Sequence, residues 1–253
     1  MTTGSMRERC RVQTSNVVRF GEAFDDHFIH GHYLSAWIVD YVHLEESLAV
    51  GSVAQEEIAH AAVFAQMSCL DAAARDWLVF DRPVEAWRPS QVLVQRLHEW
   101  PAAVLRGLLL AHAAVVRSAW LSTDDDPAVA QAAAVLGAEQ VLHVVHWERW
   151  LDLLGSDSRT FHELAGLAGT VLPMAGDVFA ADGEPKDAQL QMHQQWTEGV
   201  APVLSSVGID ASLLGEAPVP RRSAAEVPEF VTMLDFLRSE RVGPEDGVRG
   251  LYR

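Results

Sequence analysis

The chain has 253 residues, 49% of them hydrophobic, so it is long enough to bury a large core and too apolar to be disordered. Acidic residues outnumber basic ones by 35 to 19. The net charge of −16 argues against nucleic acid as a direct partner, because phosphate contacts need a local excess of Lys and Arg. Two cysteines, Cys10 and Cys69, provide neither a disulfide framework nor a thiolate metal cluster and indicate a reducing compartment, so we expect a cytoplasmic protein.

The hydrophobic periodicity predicts helices almost throughout, because apolar residues recur every three or four positions. Residues 82–89 and 211–222 are predicted loops, and residues 91–97 form either a short helix or an extended piece. Residues 102–121 are apolar nearly all round, so this helix should be central in the fold. Helices are expected at residues 20–41 with a break near Gly31, at 44–70, 102–121 and 127–154, from 160 onward with a kink at Pro173, and at 186–207 and 223–241.

Residues 1–15 carry arginines without an apolar core after them, which argues against a secretory signal, so we expect a flexible leader there. Residues 16–253 contain no internal repeat and no break in composition, and they predict one helical domain. No segment offers the roughly 18 uncharged apolar residues of a membrane span, so no membrane partner is expected.

Several helix ends carry recognisable capping residues. Asp126 before Pro127 is a strong start signal, because an aspartate caps free backbone N–H groups and proline is tolerated at the first helical position. Gly155 is a natural C-terminal stop. The pairs Thr160–Glu163 and Ser223–Glu226 have the spacing of capping boxes.

The second predicted helix carries a glutamate and a histidine on its apolar side. Glu57 and His60 are three residues apart, so they share a helix face, and that face also holds Val53 and Phe64. A buried glutamate is costly unless it is paired or binds a metal. Glu-x-x-His is the motif that di-iron carboxylate bundles take from each of two helices, with one carboxylate from each of the other two.

The fourth predicted helix carries a related but incomplete motif. His143 faces the core with Trp147, but the residue three positions before it is Gln140 and not glutamate. Glu139, four positions before His143, can share its face with a different geometry. A neutral glutamine can hydrogen-bond a histidine in the place of a lost carboxylate. Should a metal bind, its candidate ligands are Glu57, His60, Glu139 and His143.

The first and third predicted helices offer weaker candidates. The third has no inward carboxylate, and its one metal-ligating side chain is His112. Asp26 and His30 of the first helix are four residues apart, but polar residues near a helix start are usually solvated or capping. The first helix offers Asp25, Asp26, His27, His30, His32 and Asp40 as candidate ligands.

These motifs resemble the phenylacetic acid catabolic proteins, and among them the structural C subunit of phenylacetyl-CoA 1,2-epoxidase. The similarity runs from about residue 34 to 237. The segments that carry it are 34–37, 44–64, 80–94, the helix ending at 126–127, 139–155 and 195–196.

The resemblance implies an all-α, ferritin-like four-helix bundle with additional C-terminal helices. In that family a catalytic subunit holds a di-iron centre, and the C subunit is a similar bundle that has lost it and supports the catalytic subunit. The assembled complex, with a reductase, adds one oxygen atom of O₂ to the ring of phenylacetyl-CoA. The ligand pattern falls on Ala36, Glu57, His60, Ala111, Gln140 and His143, of which Glu57, His60 and His143 keep ligand side chains.

By this resemblance we expect a non-catalytic oxygenase subunit without a cofactor, whose degenerate metal site has become a buried polar network. Its expected partner is a catalytic di-iron subunit, and self-association stays open. The first alternative is an independent, iron-dependent oxidase or oxygenase with a reduced ligand set that recruits His112 or the Asp26–His30 pair. The second is an acyl-CoA-binding helical bundle that uses the vacated core.

Overall fold

The computed structural model describes residues 4–40, 43–68, 72–95, 97–180 and 183–239, without the side chains of residues 4–18, 40, 72 and 73. The side chains of Cys10, Cys69 and Asp40 therefore lie outside the described part. The described residues form helices and short 3-10 turns and no strand. The helices are α1 (Gly4–Asp40), α2 (Leu44–Met67), α3 (Ala72–Phe80), α4 (Gln91–Val94), α5 (Trp100–Leu121), α6 (Pro127–Ser156), α7 (Ser158–Met174), α8 (Lys186–Ser206) and α9 (Pro228–Ser239).

Four long helices form the bundle, as two antiparallel pairs, α1 with α2 and α5 with α6. The pairs meet where α2 contacts α6, and α7 and α8 pack on α5. As predicted, α5 is central, since Val104, Leu105, Leu108 and Leu109 are fully buried. The prediction of an all-α, ferritin-like bundle with additional C-terminal helices is therefore confirmed.

The predicted break at Gly31 is wrong, because α1 is continuous from Gly4 to Asp40. A Cβ atom at Gly31 would lie 2.8 Å from both the Ala54 carbonyl oxygen and Ile58 Cγ1 of α2. Glycine here permits close approach of two helices rather than a break. The helix also includes most of residues 1–15, for which we expected a flexible leader, and the domain boundary at residue 16 stays a prediction.

The start of α6 agrees with the sequence, and its end does not. The Asp126 carboxylate accepts a hydrogen bond from the Ala128 N–H at 2.9 Å. Gly155 does not end the helix, which continues to Ser156. A Cβ atom at Gly155 would lie 2.8 Å from Val207 Cγ1, so this glycine admits the end of α8.

The cap of α7 differs from the predicted one. Asp157 accepts hydrogen bonds from the N–H groups of Arg159 and Thr160, each at 3.0 Å, so the Thr160–Glu163 capping box is wrong. Aspartate in this position satisfies two of the free N–H groups at the helix start. Ser223, by contrast, does cap the 3-10 turn Ala224–Glu226, and α9 begins only after it.

Two of the described helices, α5 and α6, are long and apolar enough to cross a membrane by length and composition. Both are members of the bundle. α5 is mostly buried inside it, whereas only 28% of the apolar window of α6 is buried. The burial of α5 accounts for its composition, and the apolar outer surface of α6 needs another explanation.

The contact at Gly31 can be tested by adding one methyl group. Gly31→Ala is expected to lower the free energy of unfolding by about 1–3 kcal/mol, because the Cβ meets the backbone of α2. Gly21→Ala on the same helix is the matched control, because a Cβ there meets nothing within 4 Å. Urea unfolding of both variants measures the difference, and equal stability of the two would contradict the packing role of Gly31.

Candidate functional site

The centre of the candidate site is the Glu57 carboxylate of α2, which is 3% exposed. Its Oε2 atom lies 2.5 Å from Nδ1 of His27 on α1. Its Oε1 atom accepts a hydrogen bond from Gln140 Nε2 at 2.8 Å and lies 3.0 Å from His143 Nδ1, both on α6. One buried carboxylate thus joins three helices of the bundle.

Gln140 sets the protonation of His60. The Gln140 amide nitrogen lies 2.8 Å from Glu57 Oε1 and 2.9 Å from His60 Nδ1, so its two hydrogens serve both acceptors. His60 Nδ1 must then carry no proton, and the Nε2–H group donates to Glu139 Oε2 at 2.7 Å. Burial and the electrostatic influence of the neighbouring His27 lower the pKa of His60, which favours this neutral form.

His143 lies between two carboxylates. Its Nδ1 faces Glu57 at 3.0 Å, and its Nε2 faces Glu56 Oε2 at 2.7 Å. Neither carboxylate can donate when ionised, so both ring nitrogens donate and the ring is an imidazolium. Burial alone would lower the pKa of His143, but the hydrogen bonds and charges of Glu57 and Glu56 outweigh it and raise that pKa.

The network keeps Glu57 ionised in a dry environment. Burial would raise the pKa of Glu57, but the electrostatic interaction with His27 and the hydrogen bonds with His143 and His27 hold that pKa well below its ordinary value. His30 Nδ1 lies 3.8 Å from Glu57 Oε2, and burial lowers the pKa of His30 in spite of this carboxylate.

The predicted first-helix ligand position, Ala36, does not lie beside Glu57. In the antiparallel packing of α1 on α2, the residues that approach Glu57 are His27, His30 and Gly31. Ala36 lies more than one turn beyond Gly31, so the structure does not bring it to the site. His27 occupies the first-helix position of the site instead.

The third-helix position, Ala111, can be placed from the contacts of neighbouring residues. Ala111 is buried on α5. On the same helix, Gly107 faces Trp147 of α6 and Ser118 faces Gly137 of α6. Ala111 lies between these two contacts, which places it level with His143 of α6. His112 is not part of the site. Its Nε2 lies 3.2 Å from Glu148 Oε1, where side chains are partly exposed.

Asp25 and Asp26 of α1 are buried, so the expectation that they are solvated or capping is wrong. Asp26 pairs with Arg221 through two contacts of 2.7 and 2.6 Å, and Asp25 pairs with Arg82. These ion pairs tie the loop before α4 and the segment before α9 to α1. Asp26 is therefore engaged by arginine and is not available as a ligand, which removes the Asp26–His30 pair as a metal site.

His27 was a candidate among the polar residues of the first helix but was not assigned to the site from the sequence, although a signal for this was present. Phe20, Phe24, His27, Gly31 and Leu34 follow the four–three–four–three spacing of one helix face, and all are buried. This spacing indicates that His27 points into the core with the phenylalanines. The sequence could not show that Glu57 lies opposite it.

The site does not fit a pair of iron ions. Two irons need several carboxylates to bridge them and balance their charge. Glu57 is the buried carboxylate among the residues of this network, while α5 contributes Ala111 and α6 contributes Gln140. Glu56 and Glu139 bond the outer Nε2 atoms of the two histidines. One divalent ion is the better match, because ligand atoms of His27, Glu57 and His60 lie within 4.8 Å of one another.

The core cavity beside Glu57 is small. It has a volume of about 20 Å³ and is lined by His27, His30 and Glu57 on one side and Ala113 and Arg117 on the other. Such a volume accommodates about one water molecule, whereas pockets for large ligands measure hundreds of Å³. This cavity therefore gives no support to the acyl-CoA-binding alternative.

The charge of His143 makes stability depend on pH. Because the pKa of His143 is raised in the folded protein, its contribution to stability is complete below its unfolded pKa and is lost as the pH rises through the folded value. The advantage of the wild type over His143→Gln should therefore shrink as the pH rises from about 6.5 into the alkaline range, by about 1.4 kcal/mol for each unit by which the pKa is raised. Urea unfolding across this range, with exposed His162→Gln as control, measures it. An advantage that is constant with pH would contradict the imidazolium.

Comparison with known proteins agrees with this architecture. The family model of the phenylacetic acid catabolic proteins matches residues 6–212, which is most of the chain and includes the whole Glu57 network. No curated protein matches the chain. The match supports the resemblance drawn from the motifs but does not distinguish between subunits of the family. The chain belongs to the phenylacetic acid catabolic protein family.

Proposed function

We propose that the chain is a non-catalytic, structural subunit of a phenylacetyl-CoA epoxidase-like multicomponent oxygenase. It supports a separate catalytic subunit that holds the di-iron centre, and it acts in aerobic phenylacetate degradation in the cytoplasm. Membership in the phenylacetic acid catabolic protein family supports the pathway. The composition of the site supports the role as a non-catalytic subunit.

The observation that carries this proposal is the saturation of Glu57 by protein N–H groups. Both oxygens of the Glu57 carboxylate are hydrogen-bonded, by His27, Gln140 and His143. The second N–H of the Gln140 amide donates to His60. A metal-free bundle with unpaired Glu and His side chains in this place would pay for their burial without compensation. The network removes that cost and leaves the helix packing of a di-iron bundle in place.

A single bound metal is the second candidate, and the proximity of His27, Glu57 and His60 favours it. Two imidazoles and one carboxylate form a ligand set that holds non-haem Fe(II) in oxygenases. These three side chains would hold the ion here, and iron would supply oxygen activation. Binding requires Gln140 and His27 to give up their hydrogen bonds to Glu57, which is why we place this candidate second.

Metal analysis and co-purification together test the proposed function. The chain produced alone in iron-replete medium should contain well under one equivalent of iron. Co-expressed with a family member that has two intact Glu-x-x-His motifs, it should purify as a complex with that subunit. Two equivalents of iron in the isolated chain would refute the proposal. About one equivalent that is lost in both His27→Ala and His60→Ala would establish the second candidate.

Restoring the missing carboxylate gives a second test. Gln140→Glu removes two N–H donors and places a carboxylate against Glu57 Oε1, so it should lower the free energy of unfolding by about 2–4 kcal/mol in metal-free buffer. Because the added carboxylate completes the Glu-x-x-His motif, Fe(II) or Zn(II) should restore much of the loss.

Gln140→Met is the matched control for this test. It also removes the hydrogen bonds, but it adds no ligand oxygen, so divalent metal should not raise its thermal midpoint. Metal-free Gln140→Glu as stable as the wild type would show that the amide is not needed as a donor.

A further inference from the structure

The outer surface of α6 is unusually apolar for an exposed helix face. Val135, Leu142 and Val145 are 55%, 68% and 48% exposed, and Ala138 between them is exposed as well. Residues 135, 138, 142 and 145 are spaced by three and four, so they form one continuous stripe. Exposed apolar stripes of this kind mark contact surfaces, because monomers rarely leave them in water.

The neighbouring surface of α2 extends this stripe. Leu48 is 66% exposed, and the next outward positions toward α6 are Ser52 and Ala59, which are small. Small residues let the backbone of another helix approach closely. We call the surface formed by Leu48, Ser52, Ala59, Val135, Ala138, Leu142 and Val145 the α2–α6 face.

Two carboxylates lie along the line where α2 and α6 meet. The side chains of Glu56 and Glu139 are 42% and 46% exposed, so each keeps part of its carboxylate open to a partner. Each is held from below by a buried histidine, Glu56 by His143 and Glu139 by His60, at 2.7 Å in both cases. The buried network therefore fixes two negative charges at defined positions between the apolar parts of the α2–α6 face.

We propose that the α2–α6 face is the docking surface for the catalytic subunit, which meets it with an apolar helical face carrying Lys or Arg opposite Glu56 and Glu139. This inference rests on the proposed function and adds the place and chemistry of the contact. It also assigns a purpose to the Glu57 network, which holds the two docking carboxylates in place.

Charge complementarity selects this occupant. An apolar partner without cations would cover Glu56 and Glu139 and take both charges out of water without a compensating cation, which is strongly unfavourable. A second copy meets the same difficulty. In a two-fold dimer identical patches face each other, which brings these carboxylates together from two chains of net charge −16. Anionic membrane surfaces are repelled by the same carboxylates.

The test changes one exposed leucine of the face. Leu142→Lys is compared with Leu190→Lys, an exposed leucine on α8 that serves as the matched control. Binding of each purified full-length chain to the catalytic subunit, meaning the co-expressed family member with two intact Glu-x-x-His motifs, is measured by calorimetry. Leu142→Lys should bind at least about tenfold more weakly, and Leu190→Lys should bind like the wild type.

The carboxylates are tested by salt dependence. The double variant Glu56→Gln, Glu139→Gln keeps oxygen acceptors for both histidines but removes the charges. Salt screens attraction between exposed charges, so the affinity of the wild type for the catalytic subunit should fall as NaCl is raised from 50 to 300 mM. The affinity of the double variant should fall less over the same range. An unchanged salt dependence would overturn the assignment of cations to the partner.

Each other outcome identifies which statement fails. Wild-type chain that binds the catalytic subunit, with Leu142→Lys binding equally well, overturns the docking surface and leaves the proposed function standing. Wild-type chain that does not bind the subunit overturns both. Sedimentation of the wild type and its binding to phosphatidylcholine–phosphatidylglycerol vesicles test two other occupants. If the wild type forms a homodimer or binds the vesicles, and Leu142→Lys abolishes either interaction, the face belongs to another occupant and the proposal is overturned.

Discussion

The structure depends on one buried carboxylate, Glu57, that must find hydrogen-bond donors away from water. A lone ionised carboxylate in a helical core is prohibitively costly, and here its donors come from two other helices of the bundle. That requirement sets the rotation of α1 and α6 about their axes, since His27 and both α6 donors must point at the same atom pair. Helix packing by apolar side chains alone tolerates small shifts along the axis. A network with fixed donor and acceptor positions does not.

A second set of buried charges begins on the same stretch of α1. Asp25 and Asp26 directly precede His27 and are paired with Arg82 and Arg221. The ion pairs attach distant parts of the chain to the turn of α1 that carries the site. Arg221 comes from the segment before α9, so the C-terminal helices act on the position of α1 rather than simply adding to the surface. The position of His27 is thus constrained from both sides.

The family relationship explains why a residue at position 140 lies beside Glu57, and the geometry explains why that residue is a glutamine. In a metal-binding bundle this position calls for a carboxylate, which would repel Glu57 once the metal was absent. An amide of nearly the same shape turns that repulsion into two hydrogen bonds, to Glu57 and to His60. The amide thereby supplies Glu57 with a donor from the protein itself, and it turns the Nε2–H group of His60 outward to Glu139. Under the proposed function, a degenerate metal site would in this way support a protein–protein contact.

The sequence by itself determined the helical class, the central place of α5, the aspartate cap of α6, and the inward direction of Glu57, His60, Gln140 and His143. These follow from local periodicity and capping, which depend on residues a few positions apart. Only the tertiary structure decided that His27 rather than Ala36 faces Glu57, that Gly31 serves a close helix contact, and that Asp25 and Asp26 are buried against arginines. Those facts depend on the register between helices distant in sequence. Register is set by long-range packing and by the pairing of buried charges, neither of which is encoded in the spacing along one helix.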